Sequence, residues 1–148
     1  MIYIGADHGG YALKEKIKMW LAEEAIETED LGAVAFNTDD DYPDFIIPVA
    51  QKVVSNPGSL GIILGRSGNG EAIAANKVKG ARAAVCLNER MAVKAKDDNN
   101  ANILSLPGDY IDPEVAKKIV KIFLDTPFSN AERHVRRLKR IEEFEKNN

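Results

Sequence analysis

A chain of 148 residues is the size of one compact domain, and we read one domain over 1–148. Its formal net charge of -3 argues against a broad electropositive surface, so nucleic acid is not the expected partner. Hydrophobic residues at 45% and charged residues at 29% are ordinary for a globular protein, and no apolar run approaches the roughly 20 residues that span a bilayer.

The chain opens on Met1-Ile2-Tyr3-Ile4-Gly5-Ala6-Asp7, an apolar run with no basic region before it, which reads as a first strand and not as an export signal. Further strands are expected at Glu27 to Leu31, Leu60 to Gly65, Ala81 to Leu87 and Asn102 to Leu106, after the first at Ile2 to Ala6. Between them, Ala12, Leu13, Ile17, Trp20 and Leu21 recur at helical spacing, as do Phe45, Ile46, Val49, Ala50, Val53 and Val54. Pro43 and Pro113 stand where a first helical turn tolerates a missing NH, and Asp112 is a plausible N-cap for a helix to Leu124. A last, strongly charged helix follows the break at Pro127 and runs toward Glu145. This alternation predicts an α/β protein with a five-stranded parallel sheet between helical layers and a C-terminal helix.

The lone cysteine, Cys86, lies among Ala83, Ala84, Val85 and Leu87, which suits a small buried residue in a reducing, cytoplasmic setting. Gly32 to Asp41 is the longest irregular stretch. Its run Asp39-Asp40-Asp41 is read as solvated loop, because three consecutive residues rarely converge on one metal ion.

The most informative stretch is Leu60-Gly61-Ile62-Ile63-Leu64-Gly65-Arg66-Ser67-Gly68-Asn69-Gly70-Glu71, a buried strand that opens through a glycine-rich turn into a helix. Ligands bind at such carboxyl ends of strands, where backbone NH groups and the helix dipole favour an anion. A P-loop would need Lys and then Ser or Thr where Glu71 and Ala72 stand. A dinucleotide fingerprint would need a small residue in place of Ile73, and a nucleophile elbow would need glycine in place of Asn69. What remains is a loop whose NH groups and Ser67 hydroxyl can meet an oxyanion, with the Glu71 carboxylate one step away to take a proton. On local spacing alone Glu71 is equally well a favourable acid in a first helical turn.

Three further stretches, Gly5-Ala6-Asp7-His8-Gly9-Gly10, Asp41-Tyr42-Pro43-Asp44 and Ala74-Ala75-Asn76-Lys77-Val78, join Asn99-Asn100-Ala101-Asn102 and Arg133-His134 in a consistent order. Together they resemble the type B ribose-5-phosphate isomerase family, which also includes galactose-6-phosphate and allose-6-phosphate isomerases. The resemblance implies a Rossmann-like α/β/α sandwich, a homodimer or dimer of dimers with sites built from both subunits, and no metal or organic cofactor. One branch of the family uses a cysteine at the position of Gly65 as base; another uses the glutamate of Ser-Gly-Asn-Gly-Glu, which Ser67 to Glu71 reproduce. Glu71 is then the base that carries a proton between C2 and C1 of an open-chain aldose phosphate through a cis-enediolate. The loop from Arg66 through Ser67, Gly68, Asn69 and Gly70 would stabilise the charge on O1.

By the same resemblance Asp7 and His8 hold sugar hydroxyls and phosphate, and Asn99 contacts the sugar near the reacting carbons. Taken alone, His8 reads as a capping histidine and Asn99 as part of the helix exit Asp97 to Asn100. Arg133 and Arg137 share a helix face and can clamp phosphate; the other reading is a basic face in solvent, to which Arg136, Lys139 and Arg140 are assigned. His134 reads as a neighbour of the site.

Two positions depart from the family pattern. Asp98 stands where a histidine is proposed to open the furanose ring, and Asp109 where a phosphate-binding arginine follows Gly108. An aspartate of ordinary pKa near 3.9 supplies little acid at neutral pH, so Asp98 is a weak substitute. Arg66, in a loop position often glycine, is the expected replacement cation. The alternatives to ribose 5-phosphate are another aldose phosphate, a tetrose or hexose phosphate, or a non-catalytic phosphosugar-binding module of the same fold.

Overall fold

The two most apolar runs of the sequence form neighbouring strands, β1 (Ile2–Ala6) and β3 (Leu60–Gly65), at the centre of a sheet of order β2-β1-β3-β5-β4. The computed structural model describes residues 1–148. The other strands are β2 (Thr28–Asp30), β4 (Ala83–Val85) and β5 (Ile103–Pro107), and every pairing is parallel. Helices α1 (Tyr11–Glu23), α2 (Pro43–Ser55), α3 (Asn69–Asn76), α4 (Glu89–Asp97), α5 (Pro113–Asp125) and α6 (Glu132–Lys146) connect and follow the strands. The expected Rossmann-like α/β sandwich is the fold observed.

Alternation along the strands sorts the core into two layers. Ile4, Ile62, Leu64, Leu104 and Leu106 pack with Ile17, Leu21, Ile119 and Phe123 of α1 and α5, and with Ala92 and Ala95 of α4. Tyr3, Ile63 and Ile103 face the opposite way onto Ile46, Val49 and Val53 of α2 and Ala75 of α3. Cys86 lies buried in the first layer, and burial pushes its thiol up to about 12, so it is an inert packing residue.

Asp112 caps α5 by accepting from the Val115 NH at 2.9 Å, and Pro113 and Pro43 occupy the opening turns of their helices. β2 and β4 are shorter than expected because both are edge strands that pair on one side only. α3 begins at Asn69, two residues ahead of Glu71, because Gly68 at φ 78 already turns the chain into the helix. α4 was marked in the sequence only by its exit. Its inward face is built from the small residues Ala92 and Ala95, which give weak periodicity.

α1 is tied to the rim of the sheet by an ion cluster built around the buried Lys14. Lys14, with no exposed surface, donates to both Asp30 oxygens at 2.9 and 2.8 Å and to the Ala33 carbonyl at 2.6 Å. Lys18 adds a bond to Asp30 at 2.6 Å. α6 lies at the amino edge of the sheet, held where the Gly80 NH donates to Glu145 Oε2 at 3.1 Å and the Ser129 NH donates to the Asp97 carbonyl at 3.2 Å. His134 is its only buried residue.

Candidate active site

The strand order reverses direction of growth between β1 and β3, which opens a crevice at their carboxyl ends. Ala6 pairs with Leu64, so the Asp7-His8 turn and the Arg66 to Gly70 loop leave the sheet side by side. Asp7 is buried and accepts from the Gly9 NH at 3.0 Å, which fixes the turn.

Glu71, in the first turn of α3, is 5% exposed and folds back over the end of β3. A Cβ at Gly65 would land on the Glu71 carboxylate, so the glycine is the space that this side chain occupies. A side chain at position 65 and a glutamate in this pose exclude each other. Burial pushes the Glu71 carboxyl above the ordinary glutamate range; its own backbone NH pulls it down, and the Asp7 carboxylate adds a further upward push. A carboxyl shifted this way suits proton transfer near neutrality.

The loop beside it is preorganised. The Gly68 carbonyl accepts from Ser105 Oγ at 2.8 Å and from the Ala72 NH at 3.0 Å, anchoring the turn to β5 and α3. Ser67 Oγ accepts from the Asn69 NH at 3.2 Å, which leaves its hydroxyl proton free to donate. Asn69 and Gly70 form the opening turn of α3, Tyr42 lies against Gly70, and the Arg66 side chain passes over Gly9. Arg66 Nη1 stands 3.7 Å from Asp109 Oδ2 and the Asp109 NH donates to the Arg66 carbonyl at 2.9 Å, so positions 66 and 109 share one corner of the crevice.

Asp40 corrects the reading of its loop. Asp39 and Asp41 are exposed as expected, but the Asp40 side chain is 9% exposed and points into the site. Its Oδ1 accepts from the His8 backbone NH at 3.0 Å and is bonded to His8 Nδ1 at 2.7 Å. Donor atoms of Asp7, His8 and Asp40 all lie within 4.8 Å of one another, yet His8 Nδ1 is already engaged by Asp40 and is not free for an ion. Asp40 carried no signal in the sequence, because its partner is 32 residues away along the chain.

The remaining residues singled out in the sequence are elsewhere. Asp98 and Asn99 leave the end of α4 at the amino edge of the sheet. β5 begins there at Ile103 opposite Gly61, whereas Gly65 is opposite Pro107, four residues or about 13 Å further along the strands. Asp98 Oδ1 lies 3.5 Å from His134 Nε2 and 3.6 Å from Lys94 Nζ. Asn99 lines a cavity of ≈ 380 Å³ with Arg82, Leu138 and Ile141. Arg133 and Arg137 are exposed on α6 and form no ion pair. A single chain therefore brings together Asp7, His8, Arg66 to Gly70 and Glu71, and does not bring Asp98, Asn99, Arg133 or Arg137 to them.

A parallel α/β sheet with an anion-binding glycine loop and a buried carboxyl at its switch point defines a small-molecule enzyme of the proton-transfer kind. The Ribose/Galactose Isomerase family model matches residues 2–141, and the chain belongs to that family. Ribose-5-phosphate isomerase B of Mycobacterium tuberculosis (strain ATCC 25618 / H37Rv) is 46% identical over 145 residues, spanning 98% of this chain and 90% of the relative. Among solved structures, a ribose 5-phosphate isomerase from Thermotoga maritima superposes with a TM-score of 0.92 at 46% identity, covering 96% of this chain and 97% of the other. Ribose-5-phosphate isomerase B from Mycoplasma genitalium with bound ribulose-5-phosphate gives a TM-score of 0.95 at 40% identity, covering 99% and 97%.

Proposed function

We propose that the chain, acting as one isomerase domain, interconverts ribose 5-phosphate and ribulose 5-phosphate in the cytoplasm, with Glu71 as the base. The observation that carries this reading is the Glu71 carboxyl itself, buried, raised in pKa and laid against the end of β3 beside the loop NH groups. Glu71 takes the proton from C2 of the open-chain aldose and the C1 carbonyl oxygen takes up the electron pair as the enediolate forms; the O2 hydroxyl proton passes to O1, and Glu71 returns its proton to C1 as the C2 carbonyl forms. Charge that develops on O1 meets NH groups of the Arg66 to Gly70 loop and the Ser67 hydroxyl. No electron leaves the substrate, so the reaction requires no redox cofactor.

Asp7 and His8 hold the hydroxyl and phosphate side of the sugar. Asp98, Asn99, Arg133 and Arg137 act from a second subunit of a homodimer or dimer of dimers. That arrangement is supported by their place at the opposite sheet edge and by the apolar side chains of α6, Ile141 at 51% and Phe144 at 70% exposure, that no element of the same chain covers. Arg66 supplies the phosphate-binding charge missing at Asp109, at the same corner of the crevice.

The test is turnover of ribose 5-phosphate by wild type and Glu71→Gln without added metal. Turnover in the wild type and its loss in the variant support both function and base. Preference for a tetrose or hexose phosphate would change the substrate, and inactivity across all aldose phosphates would leave a sugar-phosphate binding module.

A further inference from the structure

We infer that Asp40 is a positioning residue for His8, fixing a proton on Nδ1 so that Nε2 alone is presented to the crevice. One carboxylate oxygen, Oδ1, serves both the His8 backbone NH at 3.0 Å and the ring Nδ1 at 2.7 Å. A carboxylate only accepts, so Nδ1 carries a proton whether the ring is neutral or cationic. The double contact also sets the ring's angle about the backbone, because both donors belong to one residue. His8 Nε2 forms no bond within the chain, and the edge of the Phe36 ring, 6.4 Å away between centroids, closes one side of the imidazole.

The loop keeps this carboxylate at a cost. Asp40 Oδ2 is buried without a hydrogen-bond partner, a desolvation penalty that an apolar residue at the loop's turn would avoid. The arrangement therefore serves His8 better than it serves stability. The charges around the pair are consistent with it: Asp7 Oδ2 lies 3.9 Å from His8 Nδ1, and no lysine or arginine forms an ion pair with Asp40. Nε2 so presented accepts from a sugar hydroxyl when bare and donates to a phosphate oxygen when protonated. Only this consequence rests on the isomerase reading; the tautomer is a property of the free protein.

The chain has 2 histidines, so nitrogen-15 NMR of the imidazoles, assigned with His8→Gln, reads the tautomer directly. For the wild type at a pH where the rings are neutral, we expect His8 to carry its proton on Nδ1, against the Nε2-protonated form that free histidine side chains favour. Asp40→Ala, which removes the acceptor that Nδ1–H requires, should move the population toward Nε2–H. It should also raise KM for ribose 5-phosphate about tenfold with a smaller change in kcat. A wild-type ring protonated on Nε2 overturns the inference without recourse to any variant. An Asp40→Ala protein with an unshifted tautomer, or with a shifted tautomer and unchanged KM, overturns it as well. Absence of wild-type turnover would count against the isomerase reading and leave the tautomer measurement intact.

Discussion

Two carboxylates, the half-buried Asp30 at the end of β2 and the buried Glu71 in the first turn of α3, meet opposite fates. Burial pushes the Asp30 carboxyl upward, but bonds from Lys14, Lys18 and the Gly32 NH outweigh it and hold the group below the usual carboxylate range. Burial likewise pushes the Glu71 carboxyl upward, and with no cation beside it and the Asp7 carboxylate adding a smaller push, only its own backbone NH opposes the shift. Asp30 ties α1 and β2 together, whereas the Glu71 carboxyl, the base in the proposed reaction, is buried without a compensating cation. Where buried charge is compensated the residue builds the fold, and where it is not the residue points to chemistry.

The largest effect expected from breaking this contrast is in Glu71→Gln. Loss of the base should lower kcat by about 10³-fold, in the range that general acid–base groups supply. The same change should stabilise the protein at neutral pH. A carboxyl whose folded pKa is raised penalises the folded state once it ionises, so the penalty is absent below the unfolded pKa and complete above the folded one. Denaturant titrations of both proteins should therefore coincide at low pH and diverge in favour of the glutamine variant as pH rises. A variant less stable than wild type at neutral pH would contradict the assigned shift. In the wild type, kcat should rise along an acidic limb above the ordinary glutamate pKa.

Asp30→Asn addresses the other member of the pair. It leaves Lys14, which has no exposed surface, with the Ala33 carbonyl and the half-exposed Glu15 carboxylate at 3.5 Å in place of its closest counter-charge, a change expected to cost about 3 kcal/mol. The wild-type contribution is present above the unfolded carboxylate pKa and is lost as pH falls through the depressed folded value, so the two proteins should converge in acid. KM and kcat should be nearly those of the wild type. A large loss of activity at unchanged stability would place Asp30 in the site instead. Gly65→Ala attacks Glu71 from beneath: the new methyl displaces the carboxylate, which is the movable end of a flexible side chain, and kcat should fall about 10²-fold while the protein stays folded.

How much of this was legible in the sequence follows the same division. β1 and β3 stand out at full length because both their faces are buried, and the Asp7-His8 turn and the Glu71 loop follow from two parallel strands ending together. The ends of β2 and β4 were not legible, since edge strands stop where the neighbour's ladder stops and not where apolar character does. Asp40 was hidden because a run of three aspartates looks solvated until the loop folds one of them under His8. The Asp98 and Arg133 group was legible as residues but not as a place: α4 returns the chain to the amino edge, and only the folded topology separates that group from Glu71.

The smallest expected effect concerns Arg66 and Asp109. Their ion pair, 3.7 Å apart with both side chains more than half exposed (67% and 52%), contributes little to stability, so its use must lie in the crevice. Arg66→Ala should raise KM for ribose 5-phosphate about tenfold with kcat nearly unchanged, the signature of lost uniform binding to a phosphate. An unchanged KM would remove Arg66 from the site. The sharper version exchanges the two positions. The Asp109 NH bonds the Arg66 carbonyl at 2.9 Å, so a guanidinium carried at either position starts from the same corner of the crevice. Arg66→Gly combined with Asp109→Arg should then recover most of the affinity that Arg66→Gly alone loses. If the double variant stays as weak as the single one, the two positions are neighbours that do not share a ligand, and the phosphate is held without either of them.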